Sequence, residues 1–352
     1  MVHGCGGWTP VDRRVPNDVP HAFHPRLLHC MALLSFCIRR ILQTIPMMFG
    51  LLTLVFVLSR MMPGDAADLF LAPGIPPAVA GHLRHQFGLD RPVIEQYIDW
   101  MTSAAVGDFG YSLSHAAPVS GVIGTVFPHT VLLGIAALVL EMFLAATVVT
   151  SVWMRAGVGS ERFLSWSSLV LYTIPPFWLG MLLLSVFAYQ LGLLPAGQLS
   201  SGRDLPLDLA IPNLLSHLVL PALTLAVPGA AMLVRYWWGA IAETRSSGFV
   251  LAARAAGLSP GKVFRSAVLP SSLGPALSVL GLEIGVLFGG VIVTETLFAW
   301  PGLGRVSVMA VFSRDYPLLL GCTVVAGLVV VAGNALADIA VAILDPRRRA
   351  DT

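Results

Sequence analysis

The chain has 352 residues, 56% of them hydrophobic and only 11% charged, where an ordinary soluble domain carries about 25% charged residues. That balance excludes a water-soluble globule, and a formal net charge of +2 without a basic stripe gives no support to a nucleic-acid partner. Continuous apolar runs such as LVLPALTLAV do not alternate as barrel strands do, so the predicted fold class is an all-α polytopic membrane protein.

Residues 1–36 form a predicted cytoplasmic tail, without the apolar core and small-residue cleavage site of a secretory signal. Met31, followed at once by a positive flank, is a second candidate start, and the intact mass of the native product decides between them. A bilayer crossing needs about 20 apolar residues. Windows of that length predict six transmembrane helices near 37–61, 129–153, 165–191, 216–236, 272–294 and 317–344. Residues 37–344 thus form one transmembrane domain, with an extracytoplasmic insert at 62–128, a cytoplasmic loop at 237–271 and a cytoplasmic tail at 345–352. In the insert, Asp90 is placed to cap an amphipathic helix bearing Val93, Ile94, Tyr97 and Met101. His82 and His85 lack a third ligand at sensible spacing, and Cys5, Cys30, Cys37 and Cys322 show no ligand or disulfide pattern, so no metal is expected.

Basic residues mark the cytoplasmic loops near the spans. With both termini inside, 15 of the 21 Lys and Arg residues fall on the cytoplasmic side, leaving only Arg60, Arg84, Arg91, Arg203, Arg305 and Arg314 outside. Asp65, Asp68, Asp90, Glu95, Asp99, Asp108, Asp204, Asp208, Glu295 and Asp315 fall outside as well. Glu141, Glu283 and Asp338 lie within spans and must face protein or water; hydrogen bonding between helices is the favoured reading, a proton relay the other. Asn334 and Asp338, four apart, share one helix face. Gly281, Gly285 and Gly289 form a ridge that lets another helix approach closely. No GxSxG, HExxH or paired intramembrane aspartates are present, and His129 and His217 at span ends have no nucleophile partner, so no enzyme is predicted.

The segment between spans four and five, RYWWGAIAETRSSGFVLAARAAGLSPGKVFRSAVLPSSLGPAL, specifies helix, sharp turn, helix. Residues 248–256 are small and apolar, Gly257 supplies a left-handed stop, Ser259 the next cap and Pro260 the first helical position. Such a knob fits a groove on a soluble partner as well as it fits a plain interfacial loop. A phosphate-binding loop is missing: the single lysine, Lys262, follows Gly261 but precedes Val263, and Ala256 stands where the first glycine is needed.

LAARAAGLSPGKVFRSAVLP resembles the EAA loop of ABC-importer permeases. Ala252 and Ala253 fall at its two alanines, Gly257 at its glycine, Phe264 at its aromatic position, and Leu269 and Pro270 at its closing Leu-Pro. Within that superfamily the chain is similar, from about residue 35 onwards, to the B-type permeases of the dipeptide, oligopeptide and nickel importers. PGD at 63–65, FGLDRPVIEQY at 87–97, GDFGYSL at 107–113, IPPFWLG at 174–180, GLLPAG at 192–197, VTETLFAWPGLG at 293–304, RDYPL at 314–318 and DPRRR at 345–349 carry the likeness. Leu251 departs from it where the superfamily has an acid, and Leu251 and Ala256 where peptide permeases often have a base; Ala66 replaces a proline after PGD.

The resemblance implies a type I ABC-importer permease bundle in a bacterial inner membrane, surrounded by lipid. It pairs with a second homologous permease, two cytoplasmic ATPase subunits that hold ATP and Mg, and an extracytoplasmic solute-binding protein. It further implies ATPase coupling through Ala252, Ala253, Arg254, Ala256, Gly257, Leu258, Ser259, Pro260, Phe264, Leu269 and Pro270. Alternating access needs rocking about a midplane site, where Pro175 and Pro176, lacking amide hydrogens, interrupt span three. Pro175, Pro176, Phe177, Glu141, Glu283 and Asp338 are the candidate pathway residues. Short peptides, nickel, glutathione and a haem-like solute remain open as cargo. The competing reading is a proton-coupled secondary transporter using Glu141, Glu283 and Asp338.

Overall fold

Within a bilayer every backbone polar group must find its partner in the protein, which leaves helices as the economical solution for so apolar a chain. The computed structural model describes residues 25–61, 90–155, 158–200 and 207–344. It opens with α1 (Pro25–Met61) and α2 (Val93–Ala105). A small antiparallel hairpin follows, β1 (Tyr111–Ser112) pairing with β2 (Ala117–Pro118). Next come α3 (Val119–Arg155), α4 (Val158–Thr173) and α5 (Pro176–Leu183), the last continuing as a π-helical stretch Leu184–Gln190. Then α6 (Leu207–Arg245), α7 (Gly248–Ala255) and α8 (Pro260–Val263) lead through a second π-helical stretch, Phe264–Val268, into α9 (Leu269–Leu297). The described chain ends with α10 (Leu303–Phe312) and α11 (Tyr316–Leu344).

The expected count of six spans is not met in full among the described residues. Four stretches are long and apolar enough to cross a membrane: Val119–Arg155, Ala210–Arg245, Pro260–Glu283 and Tyr316–Leu336. A fifth exists if α4 and α5, bent by 93°, act together, whereas the apolar part of α1, Leu42–Leu58, is shorter. The bend has a local cause. Pro175 and Pro176 push the residues before them out of helical conformation, Pro175 is extended (φ −60°, ψ 132°), and Pro176 restarts the helix at its first position.

The helices also outrun the predicted boundaries, because a membrane helix continues past its apolar window wherever neighbours still pack on it. α6 runs to Arg245, so the loop starts after that residue, not at 237, and α3 begins at Val119, inside the expected insert. Pro92, not Asp90, occupies the cap position of α2, its carbonyl accepting from Glu95 and Gln96. α2 then rests on α1 through Tyr97 and Trp100 against Phe56, with the Tyr97 hydroxyl 2.7 Å from Thr53 Oγ1. The tail before 25, PGD, His82, His85, the 345–352 tail with DPRRR, the side chain of Asp338 and the surroundings of Gly285 lie outside what is described.

At the centre stands α6, most of its apolar window covered by neighbours. Against it α3 turns Leu133, Ala137, Glu141, Ala145, Val149 and Trp153, one residue in every four and all buried. Ala222, Ala226 and Ala230 of α6 answer with small side chains, and such residues let two helices approach closely. Gly229 belongs to this seam: a Cβ there would stand 2.7 Å from Glu141 Oε2. Of the glycine ridge, Gly281 is buried and Gly289 faces open space in the isolated chain, while its neighbour Gly290 packs closely against Leu225.

The end of the bundle remote from the 245–270 loop is tied by motifs scattered through the sequence. Glu295 is buried, accepts from Thr130 Oγ1 (2.7 Å) and Arg305 N (3.0 Å), and sits where any side chain at Gly302 would collide. Trp300 donates its indole N–H to the His129 carbonyl (3.0 Å), and Gln198 N donates to the Phe298 carbonyl (2.8 Å). Asp315 accepts from Ser112 Oγ (2.7 Å), Ser114 Oγ (2.7 Å), Ser114 N (3.0 Å) and Leu318 N (3.2 Å), which fastens the hairpin to the start of α11.

Burial raises the affinity of the Asp315 carboxyl for a proton, but the hydrogen bonds from Ser112, Ser114 and Leu318 outweigh it and hold the group below its ordinary value of 3.8. A depressed folded-state value means that this brace is at full strength above the unfolded-state value and is lost as the pH falls through the lower folded-state one. Hairpin amides should therefore exchange faster only once the pH drops below about 3.8. Asp315→Ala, which strands buried hydroxyls, should lower stability by about 3 kcal/mol at neutral pH, read as a lower thermal midpoint of the solubilised protein.

Candidate functional site

The loop after α6 is built as a rigid knob. α7 ends at Ala255 with Ala256 as its cap, and Gly257 takes φ +76°, a left-handed conformation that glycine enters without penalty. Gly257 N then bonds the Arg254 carbonyl (3.0 Å) and Leu258 N the Ala253 carbonyl (3.3 Å), the paired bonds that close a helix at a left-handed residue. Ser259 is extended at the cap position of α8 and Pro260 takes the first helical position, although the Ser259 hydroxyl makes no capping bond.

One buried side chain of α7, Val250, holds it to the bundle, with Ala253 partly buried beside it. They join Val263, Phe264 and Val268 of the loop in a cluster with Trp153 of α3, Leu164 of α4, Trp237 and Ile241 of α6 and Ala276 of α9. Trp153 donates its indole N–H to the Pro260 carbonyl (3.1 Å) and packs on Phe264 with ring centroids 5.7 Å apart. Trp237 donates to Ser272 Oγ (3.1 Å) just inside α9. The opposite surface of α7 is bare: Phe249 is 51% and Leu251 54% exposed, with Ala252, Ala255 and Ala256 beside them. Leu269 packs on the cluster, while Pro270 is exposed at the start of α9. Sequence reasoning placed the knob but not its seat: Trp153, Trp237, Val250 and Ser272 were passed over. Two tryptophans near span ends on the loop side were the available signal.

Of the candidate pathway residues, the structure brings Glu141 and Glu283 within electrostatic reach of each other. Pro175 and Pro176 lie at the bend, with Phe177 half exposed beyond it. Glu141 is sealed between α3 and α6, and neither of its carboxylate oxygens has a hydrogen-bond partner. It therefore neither lines an open path nor makes the interhelical bond expected of it. Glu283 is also buried. Among the described residues no group of three or more His, Cys, Asp or Glu is placed to hold a metal.

Residues 154–350 match the binding-protein-dependent transport system inner membrane component family, and residues 33–134 match the N-terminal region of the same membrane components. The chain belongs to this permease family. The oligopeptide transport system permease protein AppB of Bacillus subtilis (strain 168) is 33% identical, over 89% of this chain and 98% of its own. The di/tripeptide transport system permease protein DppB of Pseudomonas aeruginosa (strain UCBPP-PA14) and the glutathione transport system permease protein GsiC of Escherichia coli (strain K12) are each 33% identical, over 90% of this chain and 99% of theirs. An inward-facing structure of the MetNI methionine ABC transporter aligns at TM-score 0.49 and 15% identity, over 64% of this chain and 96% of that one; the family assignment rests on the sequences.

The permease is thus a multi-pass transport subunit, not an enzyme. The proton-driven carrier gives way: the matched family is that of binding-protein-dependent systems, and Glu141, its first relay candidate, is sealed off.

If the cluster seats the loop, Trp153→Ala should remove the bond to Pro260 and the contact with Phe264, at a cost of about 3–5 kcal/mol. Hydrogen exchange should then accelerate across residues 248–268 while the remote knot around Glu295 keeps its protection.

Proposed function

We propose that the permease is one of two related membrane subunits of an ABC importer for short peptides or a similar solute. On this reading two separate ATPase chains hold the ATP and Mg, and an extracytoplasmic binding protein delivers the cargo. The relatives' names, which cover oligopeptide, di/tripeptide and glutathione transport, support the substrate class.

A single observation carries the coupling role: α7 offers a bare apolar surface while its root, Val250, is buried in a cluster shared by α3, α4, α6 and α9. A partner that moves the knob must move those helices with it, because packed interiors transmit displacement with little give. ATP-driven closure of the ATPases would in this way rock the bundle and expose its pathway to the opposite side. The bend at Pro175–Pro176 keeps backbone irregularity within span three, where a pathway would use it.

Charge supports the orientation. Arg155, Arg162, Arg245, Arg254, Lys262 and Arg265 gather at the loop end, whereas Glu95, Asp99, Asp108, Glu295 and Asp315 lie towards the other. The loop end therefore faces the cytoplasm, as do both termini, and the membrane is the bacterial inner membrane.

Gly257 provides the test. A Cβ there meets nothing within 4 Å, so a substitution is opposed by backbone conformation rather than by space; for most residues the left-handed conformation costs about 1–2 kcal/mol, and asparagine tolerates it better. Gly257→Glu should lower peptide uptake and the ATP hydrolysis of the co-purified complex at least about tenfold, with membrane insertion intact, while Gly257→Asn should retain most of both. A mild-detergent pull-down reads the partners directly. Wild-type chain that emerges without a second permease and P-loop proteins, or normal uptake by Gly257→Glu, would refute the assignment.

A further inference from the structure

Beside the knob lies a cleft of about 270 Å³ that no single element builds. Trp153 of α3, Glu161 of α4, Trp238 and Arg245 of α6, and Arg254 and Pro260 of the loop line it. Two guanidinium groups converge on one indole: the Arg254 carbon lies 5.3 Å and the Arg245 carbon 6.0 Å from the Trp153 ring centroid. Among the described lining residues one carboxylate opposes them, Glu161, 2.8 Å from Arg245 Nη1. The cleft therefore carries a net positive charge, and bringing two cations together is favourable where an anion sits between them. Guanidinium forks match the oxygens of a phosphate in both geometry and charge.

Position selects the kind of phosphate. Arg245 is the last residue of α6, Trp153 stands two residues before the end of α3, and Glu161 is in the first turn of α4. The cleft thus sits at the polar end of the bundle, just past the apolar windows of α3 and α6, on the side of the headgroup zone that also takes interfacial tryptophan. A protein partner is served by a different surface, the bare apolar side of α7 with Phe249 and Leu251. Arg254, although on the same helix, turns back to the α3 indole. Basic pockets between membrane helices on the cytoplasmic side are suited to acidic headgroups.

We infer that this cleft binds the phosphate of an anionic phospholipid headgroup and that the bound lipid steadies the coupling knob against α3. The inference rests on the proposed orientation only for which leaflet supplies the lipid. Full-length chain, purified in mild detergent with whatever partners accompany it, is mixed with phosphatidylglycerol and phosphatidylcholine in equal amounts, and retained lipid is counted by native mass spectrometry. Wild type should hold phosphatidylglycerol about tenfold over phosphatidylcholine, less than the roughly thirtyfold of two unopposed interfacial arginines because Glu161 offsets part of their charge. Arg254→Gln and Arg245→Gln should bring the two lipids near parity, and Arg254→Lys should recover part of the preference.

Equal retention of phosphatidylglycerol by wild type and Arg254→Gln would overturn the inference. Displacement of the lipid by millimolar inorganic phosphate would assign the cleft to a free phosphate instead. Loss of co-purifying ATPase from Arg254→Gln with lipid preference unchanged would assign it to the protein interface. The lipid count needs no ATPase, so its failure is distinct from failure of the importer reading, which the Gly257 variants test.

Discussion

The indole of Trp153 is where the soluble-facing and membrane-embedded parts of this permease are joined, and the arrangement around it follows from the chemistry of that one side chain. Its N–H needs an acceptor once buried, and the Pro260 carbonyl supplies it. Its edge and faces are apolar, so Phe264 packs against it while two arginines share its π-system. Because Pro260 opens α8 and Phe264 follows its last residue, a single residue on α3 fixes both the position and the direction in which the loop re-enters the bundle. Remove it, and the helix–glycine–helix turn would keep its own shape but lose its bearing on the membrane helices.

α3 extends that joint across the molecule. Its 37 residues span about 55 Å at the rise of an α-helix, with Trp153 at one end and Thr130, hydrogen-bonded to Glu295, towards the other. Between them the alanine-lined seam with α6 brings the two helices close enough to move as a unit. Glu141 in that seam is a cost, since a buried carboxyl without a partner weakens the packing around it. It is accommodated only because residue 229 is a glycine. The loop and the tied end around Glu295 are thus linked by one long helix whose middle is tightly packed.

The sequence was legible where local chemistry decides structure. Of the six apolar windows five lie wholly in helix, because length and hydropathy leave no alternative in a membrane, and the third is helical on either side of its break at 174–175. The stop at Gly257 and the restart at Pro260 were readable from residue type alone, as was the interruption at Pro175–Pro176, though not that it would bend the chain through 93°. What stayed hidden depends on three-dimensional neighbours. Glu295, Asp315 and Ser112 lay inside motifs quoted only as marks of likeness. That GDFGYSL meets RDYPL, and that the Glu295 segment meets Thr130 and Gly302, follows from bundle geometry and not from spacing. Pro92 displaced Asp90 as the cap because an extended proline already presents its carbonyl to the first turn. The glycine ridge was legible as a helix face, but period four does not say whether that face meets this chain or another, and in the isolated chain Gly289 is open.

The departures from the family pattern at Leu251 and Ala256 become intelligible once the knob is divided into two surfaces. Both residues are exposed on α7 and its end, where a polar side chain would make directional contacts with a partner. Here those positions are apolar or small, next to Phe249, so a partner docked as proposed would be held on that side by shape and excluded water, which are tolerant of small sliding. Arg254, the polar residue retained on the same helix, is committed to the cleft over Trp153. The charged side chain of this helix thus lies at the root of the knob and the apolar ones on its outer side. Placed there it defines how the knob sits on the bundle, while the outer side is left to grip, and a coupling element needs both: a fixed root to transmit force and a surface that keeps contact while force is applied.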